Sequence, residues 1–429
     1  MKKVRLGLIG FGTIGSGVVK NVLQNNELFK KRRGFELELK YICDIDITRD
    51  RGVKVDKNTL TTDWKKVVDD KDIDIIIELV GGVDFPNEIV SRALDNGKHV
   101  VTANKALIAS KGESIYQKAM EKKSLIGIEA SVAGGIPIIR VIKEALAADR
   151  IQAIYGIING TTNYILTKMI DESMPFETAL KKAQELGFAE ADPTLDINGG
   201  DAAAKISILS SLAFNTMAGY NDVYTEGIDG IDLQDVKYAI SMGYTVKLLA
   251  VTKLDEKGDV ELRVNPCLVP ETNSLASVKN EFNAVLLESE FLGKSMYYGR
   301  GAGSLPTASA VMSDIISIAE SIVNHSEYSH FKDNAHTKRR IKNINELESR
   351  YYLRINTEDK PGVLAKVAGI LAAKNISIAE VHQKETHNEA VPVILVTHKA
   401  KEKDFKDCIS EIDKLDFIKK ASVFIRLVE

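Results

Sequence analysis

The sequence is short of cysteine, tryptophan and proline, with three, one and nine of them in 429 residues, and each scarcity excludes something. Cys43, Cys267 and Cys408 are too few and too scattered for a disulfide framework or a zinc cluster, and such sparing use suits a reducing compartment. They read as small buried fillers. So little proline beside 30 glycines excludes collagen-like and proline-rich chains. No apolar run approaches the 18 or so residues of a transmembrane helix. Neither sign of charge dominates: 57 Lys and Arg face 60 Asp and Glu, a formal charge of −3. Neither nucleic acid nor a membrane is therefore an expected partner.

What is present is ordinary globular composition, 44% apolar and 27% charged, in a length that suggests about three domains. The first 19 residues imitate an export signal, two lysines preceding a mostly apolar stretch. Arg5 and five glycines interrupt that stretch, and no small-residue cleavage site follows. A cytoplasmic strand-turn-helix explains the same letters better.

Residues 4–9 read as a short buried strand, followed by Gly10-Phe11-Gly12-Thr13-Ile14-Gly15 and a helix from about Ser16. In that context G-x-G-x-x-G is a dinucleotide-binding turn: the first glycine for the tight turn, the second for close approach of pyrophosphate, the third for packing helix on strand. A merely tight connection is the plain alternative. Further strands are expected at 37–43, 73–80, 98–102 and 124–129, with helices at 84–94 and 107–120. Short apolar strands alternating with helices describe a parallel, doubly wound Rossmann-type sheet. Its functional loops should gather at the carboxyl ends of the strands.

Asp44 would end the second strand, 29 residues beyond Gly15. A carboxylate there binds adenosine-ribose hydroxyls and repels a 2′-phosphate, whereas Arg49 and Arg51 could hold that phosphate if Asp44 turned away. NAD and NADP both stay open.

From Pro137 the pattern changes: a helix to about 148, a strand through 157, then Asn159-Gly160-Thr161-Thr162-Asn163, whose hydroxyls can cap a helix or orient a ligand. A helix over 175–186 leads into an acidic, glycine-rich stretch, 187–205, with Glu190, Asp192, Asp196 and Asp201 before Lys205. Asp201 and Lys205 share a helix face if a helix begins there. The bland reading is a surface ion pair worth about 0.3 to 0.5 kcal/mol. The sharper one is an acidic site for a substrate ammonium around a proton-transferring lysine. Strands at 244–254 and 260–268 make a hairpin, and 282–287 with 294–298 extend a mixed sheet in an α+β domain. Gly301-Ala302-Gly303 then opens a long helix expected to pack on the first domain. His99, His325, His330 and His336 show no zinc-ligand spacing. The basic run 338–342 reads as a solvated linker. Beyond it, 351–356, 361–374, 376–383, 390–398, 404–415 and 422–427 follow the ferredoxin-like order strand, helix, strand, strand, helix, strand.

Taken together, the dinucleotide turn, Thr102-Ala103-Asn104-Lys105-Ala106, Glu129 through Pro137, Asn159 through Asn163, Gly187 through Lys205, Gly301 through Gly303 with Pro306-Thr307, and the Asp359-Lys360-Pro361-Gly362 turn resemble homoserine dehydrogenase with a C-terminal ACT domain, over essentially the whole length. The resemblance implies NAD(P)-dependent interconversion of L-homoserine and L-aspartate 4-semialdehyde, on the route to threonine, isoleucine and methionine. It implies Lys205 as acid/base group and Lys105 as a second catalytic or orienting lysine. Glu190, Asp196 and Asp201 would bind substrate, and Gly301, Ala302 and Gly303 would touch the cofactor. A monovalent cation, sodium, would sit at Glu129 with the carbonyls of Val132, Gly134 and Ile136. The ACT domain would respond to threonine through Asp359, Gly362 and Asn375, or serve only assembly of a homodimer or homotetramer.

The expected domains are 1–130 for the nucleotide, completed by the helix 306–323; 131–305 for substrate and dimerisation; a linker, 324–348; and the ferredoxin-like ACT domain, 349–429. As every residue assigned to the reaction precedes 349, deleting 349–429 should leave catalysis intact. Two other functions compete. Chemistry like that of aspartate-semialdehyde dehydrogenase needs a cysteine nucleophile, which neither Cys43 nor Cys267 resembles. A dinucleotide and amino-acid sensor would bind without turnover.

Overall fold

The computed structural model describes residues 2–325, 337–383 and 391–428; His330, His336 and the first residue of the strand expected at 390–398 lie outside them. The chain forms two compact units, each assembled from three stretches. The first holds 1–160, 201–223 and 281–339, and the second 161–200, 224–280 and 340–429.

In the first unit, β1 (Lys2–Ile9), β2 (Phe35–Cys43), β3 (Leu60–Thr61), β4 (Ile75–Glu78), β5 (His99–Thr102) and β6 (Ile126–Gly127) form a sheet in the order β3-β2-β1-β4-β5-β6. Every pairing is parallel. Ile75 to Glu78 are all buried, which fits a sheet covered on both faces. Helices α1 (Thr13–Arg33), α2 (Trp64–Asp69), α3 (Asp84–Asp95) and α4 (Lys105–Lys122) connect the strands. The later helix Ser304–Asn324 joins this core: Ala308, Val311, Met312, Ile315 and Ile318 pack in one cluster with Leu6, Leu8, Val18 and Val22. A small antiparallel sheet, Ile151–Ile157 against Phe282–Ser289 against Gly293–Arg300, also belongs to this unit.

Local chemistry explains where elements differ from expectation. Helix α4 starts at Lys105 because the Asn104 side chain accepts the Leu107 N–H. The α2 helix was unanticipated, although Asp63 caps it by accepting from Lys65 and Lys66 N–H, a readable signal. Asp232 does the same for the unanticipated helix Leu233–Ser241. The strand expected at 124–129 pairs only through Ile126 and Gly127, and the chain then tightens into a 3₁₀ turn, Glu129–Ser131. The helix expected from Pro137 starts where the Glu129 carboxylate accepts the Ile139 and Arg140 N–H groups, then widens into a π turn over Val141–Ala145.

In the second unit the hairpin Tyr244–Leu254 with Val260–Pro270 is antiparallel. The strand Ile418–Leu427 runs parallel to Val260–Pro270, pairing Cys267 with Arg426 and Leu268 with Leu427. Glu348–Thr357, Val391–Thr397 and Ile378–Gln383 follow, all antiparallel. With helices Val363–Ala373 and Glu402–Ile412 these last four strands make the ferredoxin-like module, its core built on Tyr351, Leu353, Val367, Leu371 and Phe405. The mixed character of this sheet comes from this parallel join and from the short strand Tyr224–Thr225, which also pairs parallel with Val260–Pro270. In the basic run 338–342 Lys338 and Arg340 are exposed, and ion pairs also hold it: Arg340 pairs with Asp259 at 2.6 Å and with Glu346 at 2.9 Å, and Lys342 with Asp255.

Candidate active site

The chain turns out of β1 at Gly10, whose φ of 103° is left-handed and whose added Cβ would lie 2.6 Å from the Leu79 carbonyl oxygen. A Cβ on Gly15 would lie 2.1 Å from the Gly10 carbonyl oxygen, so helix and turn meet without room for a side chain. Gly12 differs: nothing stands within 4 Å of its Cβ position. The open face above Gly12 borders the start of α1, where the first N–H groups have no partner within the helix and attract anions. These residues fit the pyrophosphate of a dinucleotide.

Asp44 follows β2 as expected, beside this turn. One carboxylate oxygen accepts the Phe11 N–H at 2.6 Å, and the other faces Arg51 Nη2 at 3.3 Å. Asp44 has not turned away from Arg51; the two form a pair. The later glycine turn also comes to this place. Ser304, following Gly301, Ala302 and Gly303, donates its hydroxyl to the Thr13 carbonyl at 2.6 Å.

The lysines meet on one carboxylate. Helix Gly200–Phe214 carries Asp201 in its first turn, favoured there by the helix dipole, and Lys205 one turn later. Lys205 Nζ lies 2.6 Å from Asp201 Oδ2 and donates to the Ile158 carbonyl at 2.7 Å. Lys105, opening α4, places its Nζ 2.9 Å from Asp201 Oδ1, and Asn159 donates to Oδ2 at 2.9 Å. The Lys105 side chain is 42% exposed and that of Lys205 only 11%. The pair is thus no surface ion pair: a solvent-facing ammonium and a sheltered one share a buried acid. Burial alone would raise the Asp201 carboxyl, but both ammonium groups and the bonds from Lys205 and Asn159 hold it well below the carboxylate range.

Glu190, exposed, and Asp196, half-buried, belong to the second unit, Asp196 within the short helix Thr194–Ile197. The Thr161 hydroxyl is spent on the Phe188 carbonyl at 2.6 Å. Asp359 and Gly362 sit exposed before helix Val363–Ala373 and Asn375 just after it. At 1.5 Å per residue the helix separates these ends by about 16 Å, too far for one small amino acid to touch both within one chain. Both Glu129 oxygens accept helix N–H groups, and the Ile136 carbonyl accepts the Ile138 N–H at 2.8 Å. Any cation there would depend on the carbonyls of this turn. Among the described residues no three His, Cys, Asp or Glu side chains converge as a metal-binding group.

Three roles are absent from the sequence reading: the Ile158 carbonyl as acceptor from Lys205, Asn159 as a partner of Asp201, although it opens the 159–163 motif, and Glu78 as a buried acid closing β4. The TANKA stretch around Lys105 was a signal for the last of these, since Thr102 bonds to Glu78 at 2.6 Å. The cysteines are all buried and unpaired. Burial, with Asp44 and Asp63 nearby, pushes the Cys43 thiol up to about 11, the opposite of what a nucleophile needs. His99 uses Nδ1 to accept the Leu125 N–H, and burial lowers its pKa. No described helix is long and apolar enough to cross a membrane.

Comparison with known proteins places the chain among relatives of one family. Residues 10–129 match the family model "Homoserine dehydrogenase, NAD binding domain", 137–316 the model "Homoserine dehydrogenase", and 351–417 the ACT domain. A homoserine dehydrogenase of Neisseria gonorrhoeae is 42% identical over 435 residues, spanning 100% of this chain and 99% of that protein. The crystal structure of a homoserine dehydrogenase from Thiobacillus denitrificans superposes with a TM-score of 0.95 at 41% identity, covering 100% of this chain and 99% of that one. A hyperthermophilic archaeal homoserine dehydrogenase in complex with NADPH matches 74% of this chain and 98% of its own, at 28% identity and a TM-score of 0.63. The chain belongs to the homoserine dehydrogenase family, as an NAD(P)-dependent oxidoreductase of amino-acid biosynthesis with a C-terminal ACT domain.

Proposed function

We propose that Lys205 is the acid/base group for interconversion of L-homoserine and L-aspartate 4-semialdehyde, and that Lys105 orients the reacting oxygen. The observation that carries this is the single buried carboxylate, Asp201, shared by the two ammonium groups. When bound, the nicotinamide supplies or takes up the hydride. In reduction Lys205 gives a proton to the aldehyde oxygen; in oxidation it takes one from the hydroxyl. Asp201 and the Ile158 carbonyl keep its ammonium aimed, and Lys105, the more open of the two, meets substrate from the solvent side. Glu190 and Asp196 supply negative charge for the substrate ammonium. Gly10 to Gly15 and Gly301 to Gly303 would hold the dinucleotide, with Asp44 for the adenosine ribose of NAD or Arg51 for the 2′-phosphate of NADP.

The cation, sodium, is assigned to the carbonyls of Val132, Gly134 and Ile136 beside Glu129, an all-oxygen set suited to a hard ion, where it would orient the turn without taking part in the chemistry. Residues 1–130 with the helix 306–323 serve the nucleotide, 131–305 substrate and a homodimer or homotetramer, 324–348 a linker, and 349–429 regulation. Threonine as effector is assigned to the Asp359–Gly362 turn, which can offer backbone groups to an amino acid. The deciding experiment gives the purified full-length protein L-homoserine with NAD and with NADP separately, following reduced nicotinamide. Turnover with at least one is expected. Bound cofactor without turnover in either case rejects the reading.

A further inference from the structure

Glu78 is the last residue of β4, fully buried, and paired in register with Ile9 on one side and Thr102 on the other. A buried carboxylate is costly unless its oxygens are bonded. Here one accepts the Val80 N–H and the other the Thr102 hydroxyl, both at 2.6 Å. The Thr102 oxygen in turn accepts the Asn104 N–H at 2.9 Å. Asn104 donates its side-chain amide to the carbonyls of Val80 and Gly82, and its oxygen caps α4 at Leu107. The next residue is Lys105, whose Nζ reaches Asp201.

The polarity of this chain depends on the acid. An ionised carboxylate only accepts, so with Glu78 ionised the Thr102 hydroxyl must point at it and leave a lone pair for Asn104. The turn after β4 is fastened to the dinucleotide turn, Leu79 N–H donating to the Ile9 carbonyl at 2.9 Å. That dinucleotide turn has further ties of its own, Phe11 to Asp44, Gly10 to the Cys43 carbonyl, and Ser304 to Thr13. The start of α4 hangs on Asn104. Loss of the acid should therefore loosen Lys105 and leave the cofactor turn in place.

We propose that Glu78 is a positioning residue for hydride transfer, holding the Lys105 ammonium in register with the dinucleotide through Thr102 and Asn104; this rests on the role given to Lys105 above. The test is a double-mutant cycle in the full-length enzyme: Glu78→Gln, Lys105→Ala and both together, each assayed for kcat/KM with L-homoserine and for cofactor Kd. Gln keeps the shape but turns one oxygen into a donor, so either the Val80 N–H or the Thr102 hydroxyl loses its acceptor and the chain is broken at that end. Glu78→Gln should lower kcat/KM about 10- to 100-fold, as a small misplacement of a reacting group does. It should change cofactor Kd by less than about 3-fold and add less than about 3-fold to the loss in Lys105→Ala, because coupled residues are non-additive. Thr102→Val cuts the same chain from its other side, should show the same pattern, and carries the cycle if Glu78→Gln does not fold. Full additivity with Lys105→Ala, or unchanged kcat/KM, overturns the proposal while leaving the role of Lys105 standing. Near-normal turnover in Lys105→Ala alone overturns that role, and the proposal with it.

Discussion

Arg354, on the first strand of the C-terminal module, grips Asp235, on the helix Leu233–Ser241, with both Nε at 2.6 Å and Nη2 at 2.8 Å. Asp235 is fully buried and also accepts the Tyr352 hydroxyl at 2.7 Å. A second buried arginine, Arg426, joins Glu402 at 2.5 Å to Glu226 at 2.8 Å. The module is thus built into the second unit rather than appended to it.

Deleting 349–429 should therefore not leave an intact catalyst, contrary to what residue positions alone suggest. It would strand Asp235 and Glu226 and uncover the strand Val260–Pro270 as a pairing edge. Arg354→Ala should cost about 3 to 5 kcal/mol in denaturant unfolding, the range for breaking a buried pair. Asp235→Leu with Arg354→Met should be milder, having no stranded charge. A soluble, fully active truncated protein would show the join to be dispensable.

Lys205→Ala is expected to lower kcat by at least about 100-fold, the lower range for losing a general acid or base. Asp201→Asn should also lower it, since both ammonium groups lose their common acceptor. Steady-state rates, with cofactor binding measured alongside, decide this; near-normal turnover in Lys205→Ala would leave no proton-transfer role for that side chain.

Asp44→Ala removes the carboxylate beside Arg51 and should shift preference toward NADP, raising the ratio of kcat/KM for NADP over NAD. Removing an acceptor of the Phe11 N–H should weaken both cofactors somewhat. Arg51→Ala should shift the ratio the other way. Unchanged ratios in both variants would place neither residue at the ribose.

The glycines of the dinucleotide turn should separate folding from binding. Gly12→Ala meets open space, so stability should hold while cofactor affinity falls. Gly15→Ala meets the Gly10 carbonyl at 2.1 Å and should destabilise the protein itself. Thermal unfolding with and without cofactor distinguishes them; equal stability of the two variants would refute the difference.

Two acids should tilt stability in opposite directions with pH. Burial pushes Glu78 from 4.5 up to about 7, although bonds from Thr102, Val80 and Asn104 oppose it. Its contribution is fully present below about 4.5 and is lost as pH rises through about 7, on the order of 3 kcal/mol in all. Asp201 is depressed, so its contribution is present above its ordinary 3.8 and is lost as pH falls below that value. Urea midpoints at about pH 5 and 7.5 should differ less in Glu78→Gln than in the parent. Equal differences in both proteins would mean that Glu78 does not titrate in this window.

The sequence by itself determined what nearest neighbours along the chain decide. Short apolar strands alternating with helices specified the parallel sheet, and the spacing of Gly10, Gly12 and Gly15 its phosphate turn. One helical turn specified the pairing of Asp201 with Lys205. These follow from periodicity and local sterics, which residues a few positions apart contain in full. Only the tertiary structure brought Lys105 to Asp201, the Ile158 carbonyl to Lys205, Thr102 to Glu78 and Arg354 to Asp235. Such meetings depend on which strands lie side by side, and a strand edge accepts any backbone partner, so local letters do not choose it. Burial then sets the strength of each pair: the Asp201 and Lys205 spacing reads as a weak surface contact until the packing around it excludes water.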